Sequence, residues 1–358
     1  MFQASSLKLP FLILTFAIFC ASTNALATQQ LPDPDGKPAD MSKKVKVFII
    51  MGQSNTLEMG KVAGAEKEGT LEHATKTASL YPFMVDDSGS WTVRKDVRNI
   101  HTQGSGGPDG RGGVRRNDWL TVSGGKIGIE QGIGHHLGNH FDEPVMILKS
   151  SIGNRSLGWD ILPPGSPSYE YKVMDKKSKT EKTFVYAGYG QSPDRWEKGT
   201  EPKPIGWKAG VQYDGDVARA KKVLADLDKH YPGATGYEVA GFLWWQGDKD
   251  RYNEGHAVMY EKNLNNLHKA LRKEFNAPNA PMVVATLGQT NKDDAKGTEK
   301  MIIEGKFAWA AASPKDRAVF YSHPVNKGGA SNGHYGGNAQ TYMNVGLGMG
   351  AAMVDLQK

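Results

Sequence analysis

Cysteine is nearly absent from this sequence: the 358 residues contain one, Cys20. A chain without thiols beyond its N-terminus forms no disulfide bonds and offers neither a thiolate nucleophile nor cysteine ligands for zinc or iron–sulfur clusters. No apolar run after the N-terminal segment reaches the roughly 18 residues of a membrane-spanning helix. The content of 39% hydrophobic and 23% charged residues is typical of a chain that folds around an ordinary core.

A strong charge of one sign is also lacking. The net charge of +6 is modest and favours anionic partners such as acidic polysaccharides. An ordinarily solvated surface is the alternative explanation. Because there is no basic helix and no interleaving of aromatic and basic residues, the sequence does not predict nucleic-acid binding.

Residues 1–27 have the pattern of a secretory signal peptide. Lys8 supplies a positive charge, residues 9–21 are almost wholly apolar, and Ala25-Leu26-Ala27 has the small-x-small form of a cleavage site. A buried N-terminal helix is the alternative. Cleavage would also remove Cys20, so we expect an exported, cysteine-free protein in the periplasm or outside the cell, with no stable membrane insertion.

The rest of the chain predicts a linker and one α/β domain. Residues 28–44 are polar and proline-rich, as in linkers, and residues 45–358 form the predicted domain. Apolar runs predict strands that are buried on both faces, over residues 45–51, 145–148, 239–245, 282–287 and 318–321. Apolar residues three and four positions apart predict helices between and after them, over residues 127–137, 217–230, 255–275 and 339–356. This alternation is typical of a parallel sheet with helices on both faces.

Two stretches interrupt the alternation, residues 86–125 and residues 160–210, and both are rich in glycine, proline and charge. We expect them to be loops that wall a binding cleft, because ligands of such folds lie beyond the carboxyl ends of the strands. Charged residues of the first stretch either hold a uronate or sulfate or belong to a solvated loop: Asp109, Arg111, Arg115 and Arg116.

A serine follows the first predicted strand, in Gly52-Gln53-Ser54-Asn55. The glycine permits a tight turn, and the N-terminus of a following helix would supply N–H groups that favour an alkoxide-like Ser54. A helix N-cap is the alternative role, because serine and asparagine are common caps. This block by itself leaves both roles open.

Three further blocks follow it: residues 145–159 (VMILKSSIGNRSLGW), residues 242–250 (FLWWQGDKD) and residues 332–335 (NGHY). Together with residues 45–59 (VKVFIIMGQSNTLEM) they resemble the SGNH hydrolases. The branch they are most similar to is sialate O-acetylesterase-like and includes the acetylxylan esterases of carbohydrate esterase family 6. The resemblance implies a three-layer α/β/α sandwich, SGNH- or flavodoxin-like, with a parallel sheet of about five strands.

The resemblance also implies catalytic roles. Ser54 is the expected nucleophile, and His334, shortly before the last helix, is the expected base. The expected oxyanion hole consists of the backbone N–H groups of Ser54 and Gly153 and the side-chain amide of Gln246. Neither a metal nor an organic cofactor is implied.

The family's orienting acid is missing from its usual place, three residues before the histidine, where this sequence has Ser331. An imidazole without a carboxylate partner loses orientation and stabilisation of its charged form. We expect Asp248, which replaces the usual glutamate of the third block, to orient His334, with Asp250 as the second choice. A dyad of Ser54 and His334 alone is the alternative.

Further departures are Thr56 for methionine, Asn154 for glycine and Arg155 for threonine. The candidate substrate contacts are Gln53, Asn55, Asn154, Arg155 and Asp250. The resemblance implies removal of O-acetyl groups from an acetylated carbohydrate. A non-catalytic carbohydrate-binding protein of the same fold and a serine hydrolase for another ester are the alternatives.

Overall fold

A computed structural model describes residues 38–174 and 179–358. The predicted signal peptide and most of the predicted linker lie outside the described residues. Within those ranges, no helix is long and apolar enough to cross a membrane.

Strands and helices alternate along most of the described chain. The strands are β1 (Val45–Gly52), β2 (Gly60–Lys61), β3 (Arg94–Gly104), β4 (Gly112–Leu120), β5 (Lys126–Ile127), β6 (Val145–Ser150), β7 (Tyr169–Met174), β8 (Glu181–Tyr186), β9 (Arg195–Glu197), β10 (Tyr237–Trp245), β11 (Met282–Ala285) and β12 (Arg317–Phe320). The α-helices are α1 (Glu130–His140), α2 (Val211–Ala225), α3 (Leu227–His230), α4 (Glu254–Val258), α5 (Tyr260–Glu274), α6 (Gly297–Ala311) and α7 (Ala339–Gln357).

The central sheet has seven strands in the order β12-β11-β10-β1-β6-β3-β4. All neighbouring strands are parallel except β3 and β4, which are antiparallel. The α/β sandwich expected from the sequence is confirmed, but the expected number of about five strands is wrong. The two additional strands, β3 and β4, come from residues 86–125, which we expected to be a loop.

Alternation along β1 explains why helices cover both faces of the sheet. Val47 and Ile49 face a core that also contains buried residues of α2, α5 and α6. Phe48 and Ile50 face the other core, which is covered by α1 and α7. Because β1 is apolar on both sides, it can be stable only between two layers of helices.

The second predicted loop, residues 160–210, contains a separate three-stranded antiparallel sheet in the order β7-β8-β9. Two tyrosines of β7 join this small sheet to α4 by hydrogen bonds. The Tyr169 hydroxyl donates to the Gly255 oxygen (2.8 Å), and the Tyr171 hydroxyl donates to the Glu254 carboxylate (3.0 Å). These two hydrogen bonds hold the small sheet beside the segment that follows β10.

Candidate active site

Ser54 lies in a tight turn directly after β1. Residues Ser54–Thr56 form one turn of 3-10 helix, in which the Thr56 N–H and hydroxyl donate to the Gln53 oxygen at 2.9 and 2.7 Å. Ser54 is half-buried, whereas its neighbours Gln53 and Asn55 are buried. The helix expected after the strand is this single 3-10 turn, because the chain becomes extended at Leu57.

Gly52 makes this turn possible. Its φ of +154° is rarely adopted by other residues, and a Cβ atom there would lie 2.6 Å from the Trp245 oxygen. β1 and β10 can therefore approach closely where both strands end. The Gln53 side-chain oxygen strengthens this junction, because it accepts from the N–H groups of Gly247 (3.4 Å) and Lys249 (3.2 Å).

Gly153 lies beside Ser54. A Cβ atom built on Gly153 would be 3.5 Å from the Ser54 Cβ. The loop after β6 thus brings the two predicted backbone donors of the oxyanion hole together. Asn154 follows with a left-handed φ of 59°.

Asp250 holds the loop that follows Gly153. Its carboxylate accepts from the N–H groups of Leu157 (2.9 Å) and Gly158 (2.8 Å), and the residue is fully buried. Burial raises the pKa of Asp250 above its ordinary value. The structure therefore places this candidate substrate contact beneath the loop rather than on its surface.

Gln246 is also fully buried. Its amide nitrogen donates to the Arg155 backbone oxygen (3.0 Å) and to the Asp250 carboxylate, and its amide oxygen accepts from the Tyr260 hydroxyl (2.8 Å). Both amide hydrogens are used by these bonds. Gln246 could donate to an oxyanion only after releasing one of them.

Lys306 of α6 binds the backbone directly after β10. Its ammonium group donates to the backbone oxygens of Gln246 (2.6 Å) and Ala285 (2.9 Å). Complete burial lowers the pKa of Lys306 to about 7. No sequence motif pointed to this residue, because it lies on α6, a helix that the sequence analysis did not predict.

His334 lies on a short loop, Ser331–Gly337, which we call the histidine loop and which contacts the Ser54–Thr56 turn. His334 is half-buried, and its backbone oxygen accepts from the Tyr342 hydroxyl (3.4 Å). Among the residues that the structure describes, its imidazole forms no hydrogen bond and no ion pair.

Asp248 contacts the histidine loop through Ser331 rather than through His334. Its Oδ1 accepts from the Ser331 hydroxyl (2.6 Å) and from Nε of Arg251 (2.9 Å). Arg251 in turn pairs with Glu299 of α6 (2.8 Å). The predicted acid and the loop that carries the predicted base are thus joined by a serine hydroxyl.

A cavity of about 470 Å³, here named the Trp207 pocket, opens beside Asn154 and Arg155. The Arg155 guanidinium stacks on the Trp207 ring at 4.9 Å and donates to Ser105 Oγ (2.8 Å) and Gln212 Oε1 (3.3 Å). Its described side-chain partners are therefore neutral. Besides Asn154 and Arg155, the residues that line the Trp207 pocket come from three segments: Ser156, Trp159, Asp160, Asp194, Ile205, Trp207, Lys249, Tyr252, Asn253 and His256.

Most of the residues that line the Trp207 pocket were not predicted from the sequence. His256 of α4 pairs with Asp194 at 2.8 Å and packs on Gly158, so that it joins the 160–210 segment to the loop after β6. The one available signal was the position of two tryptophans, Trp159 and Trp207, at the borders of the predicted cleft-walling segment. Nothing in the sequence predicted their pairing with Arg155.

Two further side chains, Arg116 and His135, lie outside the Trp207 pocket. Arg116, a candidate anion contact, pairs with Glu58 (3.0 Å). His135 of α1 is fully buried, and its ring packs against Phe83. Within the described part of the chain, no three histidine, cysteine, aspartate or glutamate side chains form a group that could hold a metal ion.

Part of this chain is similar to a known protein family. Residues 169–313 match the family model described as carbohydrate esterase, sialic acid-specific acetylesterase. A search of curated proteins found no significant match. Similar solved structures include a protein of Arabidopsis thaliana, with 14% identity and a TM-score of 0.46 over 87% of this chain and 99% of that one.

Two further solved structures are similar at a comparable level. A carbohydrate acetylesterase of Xanthomonas citri has 13% identity and a TM-score of 0.49, over 87% of this chain and 57% of that one. NanS has 13% identity and a TM-score of 0.41, over 81% of this chain and 79% of that one. The stretch that matches the family model contains Gln246, Asp248 and the wall residue Trp207.

Proposed function

We propose that this chain is a sialic acid-specific acetylesterase-type carbohydrate esterase, a family whose model matches residues 169–313, and that it removes O-acetyl groups from a carbohydrate through an acetyl-serine intermediate. The observation that carries the proposal is the contact between the Ser54 turn, Gly153 and the histidine loop. A half-buried serine beside a glycine, in a turn that is approached by the loop carrying a histidine, supports a role in acyl transfer.

In the first step, Ser54 Oγ attacks the acetyl carbonyl carbon while the His334 imidazole takes the hydroxyl proton. The backbone N–H groups of Ser54 and Gly153 stabilise the negative charge on the former carbonyl oxygen. When the tetrahedral intermediate collapses, the bond to the sugar oxygen breaks. That oxygen leaves as a hydroxyl group with the proton from His334.

In the second step, water attacks the acetyl-serine and gives its proton to His334. Acetic acid leaves, and Ser54 Oγ regains the proton from His334. The two steps together convert one ester and one water into an alcohol and acetic acid, which ionises to acetate and a proton in neutral solution, so no external electron donor or acceptor is needed.

The Trp207 pocket is the proposed site for the sugar. It begins at Asn154, the residue next to Gly153, and therefore lies beside the reacting atoms. Trp207 and the exposed Tyr252 supply flat apolar faces, and Arg155 and Lys249 supply positive charge. An acidic sugar such as an O-acetylated sialic acid has both an apolar ring face and a carboxylate, and it would use both features.

The test is hydrolysis by the purified protein of p-nitrophenyl acetate, butyrate and octanoate, together with acetate release from O-acetylated sialic acid. We expect acetate selectivity and a loss of about 1,000-fold or more in kcat for Ser54→Ala. Ser88→Ala, which changes an exposed serine, should retain full activity.

Equal activity of Ser54→Ala and wild type would eliminate Ser54 as nucleophile. If the folded wild type hydrolyses none of these esters but binds sialic acid, the protein is a carbohydrate-binding member of the family. That alternative is favoured by one observation, the lack of a described partner for the His334 imidazole.

Export is a separate part of the proposal and is supported by the signal-peptide pattern of residues 1–27. Expression of the full chain should yield a secreted or periplasmic protein whose N-terminus follows Ala27. Recovery of only the uncleaved chain inside the cell would contradict export and leave the esterase proposal unaffected.

A further inference from the structure

The histidine loop has an unusual backbone. His334 (φ 51°, ψ 42°) and Tyr335 (φ 52°, ψ 34°) both adopt the left-handed conformation, and Gly336 and Gly337 continue it. For residues other than glycine this conformation costs free energy and persists only where the surroundings enforce it. The contacts of the loop before and after His334 should therefore determine where the imidazole lies.

Tyr335 anchors the loop immediately after the histidine. Its ring is fully buried and stacks on Trp245, with the centroids 5.3 Å apart and the planes 7° apart. Its hydroxyl oxygen accepts from the N–H group of Gly288 (3.2 Å). This anchor is uncharged, so it fixes the position of the loop without supplying charge.

Ser331 anchors the start of the loop. Its N–H donates to the side-chain oxygen of Gln289 (3.2 Å), and its hydroxyl donates to Asp248 Oδ1 (2.6 Å). Ser331 is almost completely buried, at 1% exposure, so water does not compete with these bonds. This anchor, unlike Tyr335, connects the loop to an acidic side chain.

We propose that Ser331 is a positioning residue, through which Asp248 acts on His334. In this inference, which rests on the proposed function, the acid holds a hydroxyl of the histidine loop and does not bind the imidazole directly. Ser331 keeps the loop, and therefore the imidazole, within the field of the carboxylate. A nearby negative charge stabilises the imidazolium form that arises in each half of the reaction.

Charged groups other than Asp248 also lie near the histidine loop. Arg251 shares Asp248, and Lys61 of β2 donates to the Gly336 backbone oxygen (3.3 Å). The Ser54–Thr56 turn, which also contacts the loop, has no charged residue. Further charged groups near the loop are Glu299, which pairs with Arg251, and Lys67 and Glu68, which line a pocket with Gly336.

The experiment measures the pKa of His334 by NMR titration of its imidazole Cε1–H, with the resonance assigned by its absence in His334→Gln. Ser331→Ala should lower this pKa, because the imidazolium loses the influence of Asp248. The same variant should lower kcat/KM for p-nitrophenyl acetate about 10- to 100-fold, as expected for a displaced catalytic group. The acidic limb of its pH profile should move to lower pH.

Two variants separate positioning from simple loss of structure. Ser331→Thr keeps a hydroxyl and should retain the wild-type pKa and most of the activity. The exchange of Ser331→Asp with Asp248→Ser keeps one carboxylate and one hydroxyl at this contact. It should restore kcat/KM to within about 3-fold of wild type.

Ser42→Ala is the matched control, because the exposed Ser42 hydroxyl makes a hydrogen bond of the same length, 2.6 Å, to Asp40. An unchanged His334 pKa in Ser331→Ala, or a failure of Ser331→Thr to preserve it, would overturn the proposal. The NMR titration needs no turnover, so a wild type without esterase activity would reject the proposed function and still test this inference.

Discussion

Gly153 lies against Ser54 in such a way that a Cβ atom on the glycine would be 3.5 Å from the serine Cβ. This separation is an ordinary van der Waals contact, and apart from Gly153 itself and its two chain neighbours no other atom of the described residues lies within 4 Å of that position. The space around Gly153 is therefore open to a substrate but is not required for folding.

The first prediction follows from this contact. Gly153→Ala should leave the free energy of unfolding within about 1 kcal/mol of wild type, since a methyl group fits the folded chain. It should lower kcat/KM for p-nitrophenyl acetate about 100-fold or more, because the methyl group occupies the space of the oxyanion. Urea denaturation and steady-state kinetics check the two parts. A fully active Gly153→Ala would show that the oxyanion does not bind there.

The second prediction concerns the support of the same loop. Asp250→Asn should destabilise the protein by about 2–3 kcal/mol, because asparagine keeps one acceptor oxygen and its amide nitrogen cannot accept from the second of the two N–H groups, those of Leu157 and Gly158. Thermal or urea unfolding measures the change. Asp293→Asn, at an exposed position, is the control. Equal stability of both variants and wild type would mean that the buried carboxylate contributes nothing to holding the loop.

The third prediction is a pH dependence of stability. Lys306 has a pKa of about 7 in the folded protein, against 10.5 as the ordinary value. Between these values the unfolded chain binds one more proton than the folded chain, so the free energy of unfolding should rise with pH by roughly 1 kcal/mol per unit above pH 7. Urea denaturation from pH 6 to 9 measures the slope.

Lys306→Met provides the comparison for that slope. The variant lacks the titrating group and should show a flatter profile. It should also be less stable at pH 9, because the backbone oxygens of Gln246 and Ala285 lose their donor. Parallel profiles of wild type and variant would show that the folded-state pKa of Lys306 is not lowered.

The fourth prediction separates sugar binding from chemistry. Trp207→Ala should raise KM for O-acetylated sialic acid about 10-fold and leave p-nitrophenyl acetate hydrolysis nearly unchanged, because only the sugar reaches the pocket. Tyr237→Ala, which removes an aromatic ring of 38% exposure outside the pocket, should change neither. A loss of both activities in Trp207→Ala would indicate that the tryptophan supports the catalytic loop instead.

The strands that surround the site were predictable because they are apolar on both faces. β1, β6 and β10 are continuous hydrophobic runs, and the serine and glutamine blocks follow them directly. β3 and β4 were missed because charged and glycine residues mask any alternation, and β4 is an edge strand with solvent on one side. Edge strands tolerate such residues, so composition does not distinguish them from loops.

The sequence by itself determined the layered α/β architecture, because runs of apolar residues can be buried in few other ways. It also placed Ser54 and Gln246 at strand ends. Only the tertiary structure decided that Gln246 donates to the Arg155 backbone oxygen, that Ser331 of the histidine loop donates to Asp248, and that Arg155 stacks on Trp207. These contacts join residues far apart in the chain, and short-range patterns carry no information about which distant polar groups will meet.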